Sequence, residues 1–199
     1  CGHWPFRKIP TESMDKIIEN AKKHNIDSMI ISSINSIFYE DPEEGDEEIA
    51  PLIPEGSYQA ITINPTIGWF EKDIEAAADN KNVKAVRIHP EFHKFRLTDK
   101  CVTKLIDVLY EHKLPLIITS QMEDPRSFHW TPQDTVPMQE LSAMIMHNKK
   151  IPVVFTNIPA GFWGSCEGMV KEYGNLNFDT SGIRFGVTDI IEKAIINSK

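Results

Sequence analysis

Short apolar runs alternate along the chain with longer stretches in which apolar residues recur every three or four positions. The short runs, at 28–35 (through Met29-Ile30-Ile31), 58–64, 83–89, 115–120, 151–157 and 176–180, read as buried strands. The longer stretches read as helices. Thr11 or Ser13 caps one that runs to His24, with Met14, Ile17, Ile18 and Ala21 on one face. Others are expected around Glu47–Ile53, over Phe70–Asp79 and over Thr98–His112, where Val102, Leu105, Ile106 and Leu109 share a face. Three more follow: one through Leu141, Met144 and Ile145, one from Cys166 to Tyr173, and one from Thr188 to Ile196. Such alternation, with strands apolar almost throughout, is the pattern of a parallel sheet covered by helices.

The strand ends carry a second pattern. Alternate residues of a strand face opposite ways, so Arg87 and His89 point away from the helix-packed side that Val86 and Ile88 occupy. Ser33 with Asn35, Thr62 with Asn64, Thr119 with Gln121, and Asn177 with Asp179 repeat the arrangement, and Asn157 follows Val153 and Phe155. Burying so many polar groups costs about 1–3 kcal/mol each unless they are paired. A barrel that opens at its carboxyl-end face removes the difficulty, and that face is where sites of this architecture lie. The expected fold is therefore a TIM (β/α)8-like barrel occupying 1–199 as a single domain. Its first and last strands are expected before Cys1 and after Lys199, so that the chain is truncated at both ends.

Charge and composition narrow the partners. A net charge of -8 disfavours nucleic acid and membrane surfaces, both of which select basic patches. Much of that charge lies between Glu40 and Glu48, read as a solvated loop or helix start. Three widely separated cysteines (Cys1, Cys101 and Cys166) lack metal-ligand spacing and read as free thiols in a reducing cytoplasm. No apolar stretch approaches the roughly 20 residues needed to span a bilayer.

Four blocks in order, Gly2-His3-Trp4-Pro5-Phe6-Arg7, Arg87-Ile88-His89-Pro90-Glu91-Phe92-His93, Gln121-Met122-Glu123-Asp124 and Asn177-Phe178-Asp179-Thr180-Ser181, resemble the amidohydrolase-related (amidohydrolase family 2) barrels. The resemblance implies hydrolysis or nonoxidative decarboxylation of a small carboxylated or cyclic compound, usually with zinc. In that family a His-x-His pair ends the first strand, which here would precede Cys1, and a catalytic Asp ends the last strand, beyond Lys199. The family's histidines after the fourth and fifth strands above correspond to Ser120 or Gln121 and to Asn157. Neutral amides are poor zinc ligands, so no metal ligand is assigned and the cofactor is left unknown.

Each candidate has a functional and a structural reading. His89 is a substrate-facing acid/base or a histidine bonded to neighbouring strand ends. His93 joins it across the mouth or is a solvated loop residue. Arg7, after the stiff Trp4-Pro5-Phe6 turn, holds a substrate carboxylate or pairs with Glu123 or Asp124. Arg87 binds substrate or neutralises Asp179, which is itself a general base or only that partner. Gln121 and Asn157 orient substrate by hydrogen bonds. His129 and Trp130 lie in the longest loop, a lid or an ordinary surface loop. The function expected is an amidohydrolase-like enzyme acting on a small, carboxylated metabolite, with Trp4 and Arg7 among its substrate contacts. The alternatives are a catalytically inactive, small-molecule-binding barrel that has lost its metal site, and a homo-oligomer subunit using Trp4, Trp69, Trp130 or Trp163 at an interface.

Overall fold

Six apolar strands pair side by side in chain order, every pair parallel: β1 (Ile30–Ile31), β2 (Tyr58–Thr62), β3 (Val83–Ile88), β4 (Leu116–Thr119), β5 (Val153–Thr156) and β6 (Leu176–Phe178). The computed structural model describes residues 1–6, 8–9, 12–123, 134–147 and 151–181. Between the strands run α1 (Met14–Lys23), α2 (Asn35–Phe38), α3 (Pro42–Ile49), α4 (Phe70–Asp79), α5 (Pro90–His93), α6 (Lys100–His112), α7 (Met138–His147) and α8 (Trp163–Glu172). Strands that follow one another without a reversal of order curl the sheet in one direction, giving a partial TIM barrel.

Register fixes which side chains face outward. Val86, Leu116, Val153 and Leu176 are aligned across β3 to β6 and are essentially inaccessible. With Ile74, Leu105, Leu109, Leu141 and Ile145 from the helices they form the main core. Each such side chain contributes about 1.5–3 kcal/mol by burial, so this outer layer carries most of the stability. A smaller cluster of Met14, Ile31 and Ile49 closes the β1 side. The neighbouring rank, Thr62, Arg87, Ile117, Val154 and Asn177, faces the concave interior.

Several sequence expectations change in detail. β1 is two residues long, because the chain turns into α2 directly after Ser33. With Ile31 committed to the outer cluster, alternation turns Ser32 inward. Ser33 and Asn35 are therefore not interior groups: Ser33 Oγ accepts from Ser36 N, and Asn35 donates to Glu48 at 2.7 Å. The acidic run is a helix, α3. Asp41 caps it by accepting from Glu43 N at 3.1 Å, and Pro42 occupies its first turn. The loop residue Cys1 lies beside Ser33, its nitrogen donating to Ser32 O and its carbonyl accepting from Ile34 N. Residues 1–6 are thereby held over the carboxyl end of β1. The helix expected at Thr188–Ile196 and the loop residues His129 and Trp130 lie outside the described residues. Among the described residues, no helix is long and apolar enough to cross a membrane.

Candidate functional site

His89 and His93 are brought together by a short helix that the sequence does not advertise. Pro90 both ends β3 and starts α5, a role its fixed φ suits. His93 N then donates to His89 O at 3.0 Å, and Lys94 ends the turn in the left-handed region with φ 59°. Residues four apart lie on one helix face, so the two imidazoles stand edge to face with centroids 6.1 Å apart. His93 is thus a half-buried helix residue, not a solvated loop histidine. Its Nε2 lies 3.3 Å from Ile37 O. His89 is 3% exposed, and neither ring nitrogen has a hydrogen-bond partner among the described residues. Burial, then the Arg87 charge, then His93 hold His89 well below the usual histidine range. Burial lowers His93 as well, against the opposing pull of its bond to Ile37. Both rings are neutral at pH 7.

An aromatic wall continues from this pair. Phe92 packs on His93 and Phe38, and Phe38 on Trp4 and Phe6, with centroid separations between 5.1 and 6.0 Å. Trp4 is buried, and its indole N–H donates to Glu123 Oε1 at 2.9 Å. This bond ties the 1–6 segment to the loop after β4. The Trp4 ring is therefore packed into this wall with its donor already engaged. Arg7, expected beside it, lies outside the described residues.

Arg87 crosses the concave face. Its Nε donates to Thr119 Oγ1 at 3.0 Å and its Nη1 to Ser32 Oγ at 2.9 Å, linking β3 to both β4 and the end of β1. The expected ion pair with Asp179 is not a direct contact: no ion pair within 4 Å joins them among the described residues. The hydroxyls of Ser32 and Thr119 lie nearer and take the guanidinium's donors, while Asp179 acts through space, opposing the lowering that burial imposes on Arg87. Guanidinium has five N–H donors, and these bonds use two. Thr62, beside Arg87 in register, is buried with its hydroxyl unpartnered among the described residues.

Gln121, Asn157 and Asp179 form the opposite rim. Asn157 adopts φ 56°. From there its N–H donates to Asp179 Oδ1 at 3.0 Å and its Nδ2 to the Gln121 carbonyl at 2.5 Å. Asp179 Oδ2 accepts from Ser181 Oγ, and Gln121 Oε1 from Thr135 Oγ1 at 3.3 Å. The three strand ends are stitched together by their own polar groups.

The zinc implied by the motif resemblance needs three or more imidazole, thiolate or carboxylate donors. His89 and His93 offer imidazole nitrogens without partners, but among the described residues no group of three or more His, Cys, Asp or Glu is placed to hold a metal ion. At the ends of β4 and β5, Gln121 and Asn157 are bonded to each other. The described donors do not fit a zinc centre, and no chemical step is routed through one. Sequence reasoning missed Ser32, Thr119 as a partner of Arg87, Phe38 and Asp46. The alternation around Ile31 held the signal for Ser32, whereas Asp46 is masked by the acidic residues around it.

No protein-family model matches the chain, and neither does any curated protein. Its structure is similar to solved ones. An uncharacterised TIM-barrel protein from Bordetella bronchiseptica aligns with TM-score 0.61 and 12% identity over 83% of this chain and 58% of its own. The 5-carboxyvanillate decarboxylase LigW from Sphingomonas paucimobilis aligns with TM-score 0.62 and 13% identity over 90% and 67%. The apo IDCase of Metarhizium anisopliae aligns with TM-score 0.54 and 12% identity over 93% and 54%. The chain thus spans between 54% and 67% of the length of these structures. At such identities the likeness shows the fold: this chain is a partial TIM barrel.

Proposed function

We propose that the barrel mouth is the active site of an amidohydrolase-like enzyme that decarboxylates or hydrolyses a small carboxylated compound. The observation that carries this reading is His89, a neutral imidazole buried at the carboxyl end of β3 with both ring nitrogens unpartnered among the described residues. An unmade hydrogen bond costs about 1–3 kcal/mol, and such a cost persists at positions where a ligand completes the bonding. The motif order and the decarboxylase among the structural neighbours support the same class.

The roles follow from the charges. Arg87, anchored by Ser32 and Thr119, receives the substrate's carboxylate with its remaining donors. Burial first and the Arg87 charge second depress His89, and the anion offsets the second of these, so binding raises the basicity of the imidazole. His89 then takes a proton from substrate or water and returns it, the ordinary duty of a positioned histidine. His93 stands edge to face beside it, Asp179 sets the local field, and the wall of Trp4, Phe38 and Phe92 excludes water. Gln121 and Asn157 hold the rim in shape. Arg7 is a second candidate for the anion, by its place after Trp4-Pro5-Phe6.

The test is turnover of a panel of small aromatic and aliphatic carboxylates and lactones, scoring carbon dioxide release and ring opening separately. Turnover lost in His89→Gln supports the reading. Binding of the same compounds without turnover by either protein would replace it with a ligand-binding barrel.

A further inference from the structure

The turn α2 is four residues long, too short to be stable alone, yet two parts of the mouth hang from it. Its Ile37 carbonyl lies 3.3 Å from His93 Nε2, and its Phe38 ring packs on Phe92 at 5.1 Å. Asn35 and Tyr39 tie its two ends to Glu48, and at its centre a single buried carboxylate fastens it to the sheet. Asp46, 5% exposed, accepts from Ser36 Oγ at 2.9 Å with one oxygen and from Thr62 N at 2.7 Å with the other. Its backbone carbonyl accepts from Gln59 Nε2 at 2.8 Å.

The Thr62 bond has a topological cause. Along β2, Ile63 N is turned toward β3 and bonds Arg87 O. The preceding N–H of Thr62 is therefore turned toward β1, which ends too early to supply a carbonyl. Asp46 substitutes for the missing strand partner and, with its other oxygen, fastens α2 to the same point. The neighbouring residue confirms how close the elements lie: a Cβ on Gly45 would come within 2.4 Å of Ser36 N.

The proton on His93 follows from this arrangement. A carbonyl oxygen only accepts, so the His93 nitrogen facing Ile37 O carries the hydrogen and Nδ1 keeps its lone pair. That Nδ1 is buried and unpartnered among the described residues. We infer that Asp46 is a positioning residue of the mouth: by pinning Ser36 and Thr62 it fixes α2, and through the Ile37 carbonyl it dictates which His93 nitrogen carries the proton. The inference rests on reading His93 as a mouth residue, but its test reads a tautomer and not turnover.

Long-range proton–nitrogen correlation spectra of uniformly 15N-labelled protein report the tautomer of each histidine directly. The wild type is expected to show a single Nε2–H form at His93. Asp46→Ala and Ser36→Ala should each convert that signal to a tautomer mixture while His24 and His147, distant helix-end residues, are unchanged. Asp46→Asn, whose amide serves both Thr62 N and Ser36 Oγ, should restore the single form. A folded Asp46→Ala or Ser36→Ala protein with an unaltered His93 signature would overturn the proposal, as would Asp46→Asn behaving like Asp46→Ala. If Asp46→Ala fails to fold, Ser36→Ala decides alone, since it leaves the Thr62 bond intact. Failure of the catalytic reading shows separately, as full turnover by His89→Gln.

Discussion

At the ends of β4, β5 and β6 most polar groups find partners: Asn157 Nδ2 bonds Gln121 O and its N–H bonds Asp179, Asp179 bonds Ser181 and Gln121 bonds Thr135, while Ser120 Oγ is buried without a partner among the described residues. At the ends of β2 and β3 several polar groups do not. Both nitrogens of His89, Nδ1 of His93 and the Thr62 hydroxyl are buried without partners among the described residues. The bonded pairs are half-buried or exposed and the unpartnered atoms are fully buried, so burial sharpens the contrast. One half has the lower energy as it stands. The other carries about 1–3 kcal/mol for each bond unmade among the described residues, a cost that an incoming molecule would remove. Substitutions on the two sides should therefore move different observables.

The largest effect is expected at His89. His89→Leu removes two unsatisfied nitrogens and leaves an apolar group of similar size, so thermal stability should be equal or higher. Turnover should fall about 10²–10⁴-fold. Calorimetry and initial rates on the same samples check both halves of the claim; a large loss of stability would mean that His89 is scaffold. The pH dependence follows by sign. Both imidazoles are depressed in the folded state, so below their ordinary value near 6.5 the unfolded chain binds more protons. Stability from this source is complete above that pH and is lost as pH falls.

Asp46 has the opposite sign and the next largest effect. Burial raises it to about 7, with Glu43 adding like charge and the bonds from Thr62, Ser36 and Gln59 pulling back. The folded state then binds more protons than the unfolded between about pH 4 and 7. This contribution is present below the unfolded value and lost as pH rises through 7. Asp46→Asn should therefore gain stability over the wild type above pH 7, by at most about 4 kcal/mol for a displacement of that size. Urea unfolding at pH 5 and pH 8 measures it. Equal differences between the two proteins at both pH values would contradict the buried charge.

Arg87→Met should raise KM about 10- to 100-fold, the worth of one charged hydrogen bond or somewhat more. It should also shift the acid limb of the rate profile to higher pH, because Arg87 depresses His89. Arg87→Lys should not rescue binding: a point charge on a flexible stem cannot hold Ser32 and Thr119 together as the planar fork does.

How much of this was legible in the sequence differs between the same two halves. Helix-facing positions such as Val86, Leu105 and Ile145 announce themselves by period, because burial against a neighbouring element is a repeated demand. Arg87 and His89 were visible as polar residues on the opposite parity of an apolar strand. The Asn157 latch was not, because its bonds depend on a left-handed backbone at one residue and on where two other strands end. Nor was Asp46. Within Glu43-Glu44-Gly45-Asp46-Glu47-Glu48 nothing local distinguishes the one carboxylate that turns inward. It is chosen by the early end of β1, and strand length is a property of the assembled sheet.

The smallest effect separates scaffold from site most sharply. Asn157 contributes one side-chain bond, to Gln121 O, and tolerates φ 56° better than most residues. Asn157→Ala should lose that bond and add left-handed strain, about 2 kcal/mol together. Asn157→Gly loses the same bond but is free of the strain, so it should be about 1 kcal/mol more stable than the alanine variant. The N–H that binds Asp179 is backbone and survives in both. If Asn157 only shapes the rim, stability follows this order, wild type above glycine above alanine, while kcat/KM at a temperature where all are folded changes little. If its amide instead touches substrate, the two variants lose kcat/KM equally despite their different stabilities. Because both lack the same amide and differ only in strain, comparing them distinguishes the roles without knowledge of the substrate's structure.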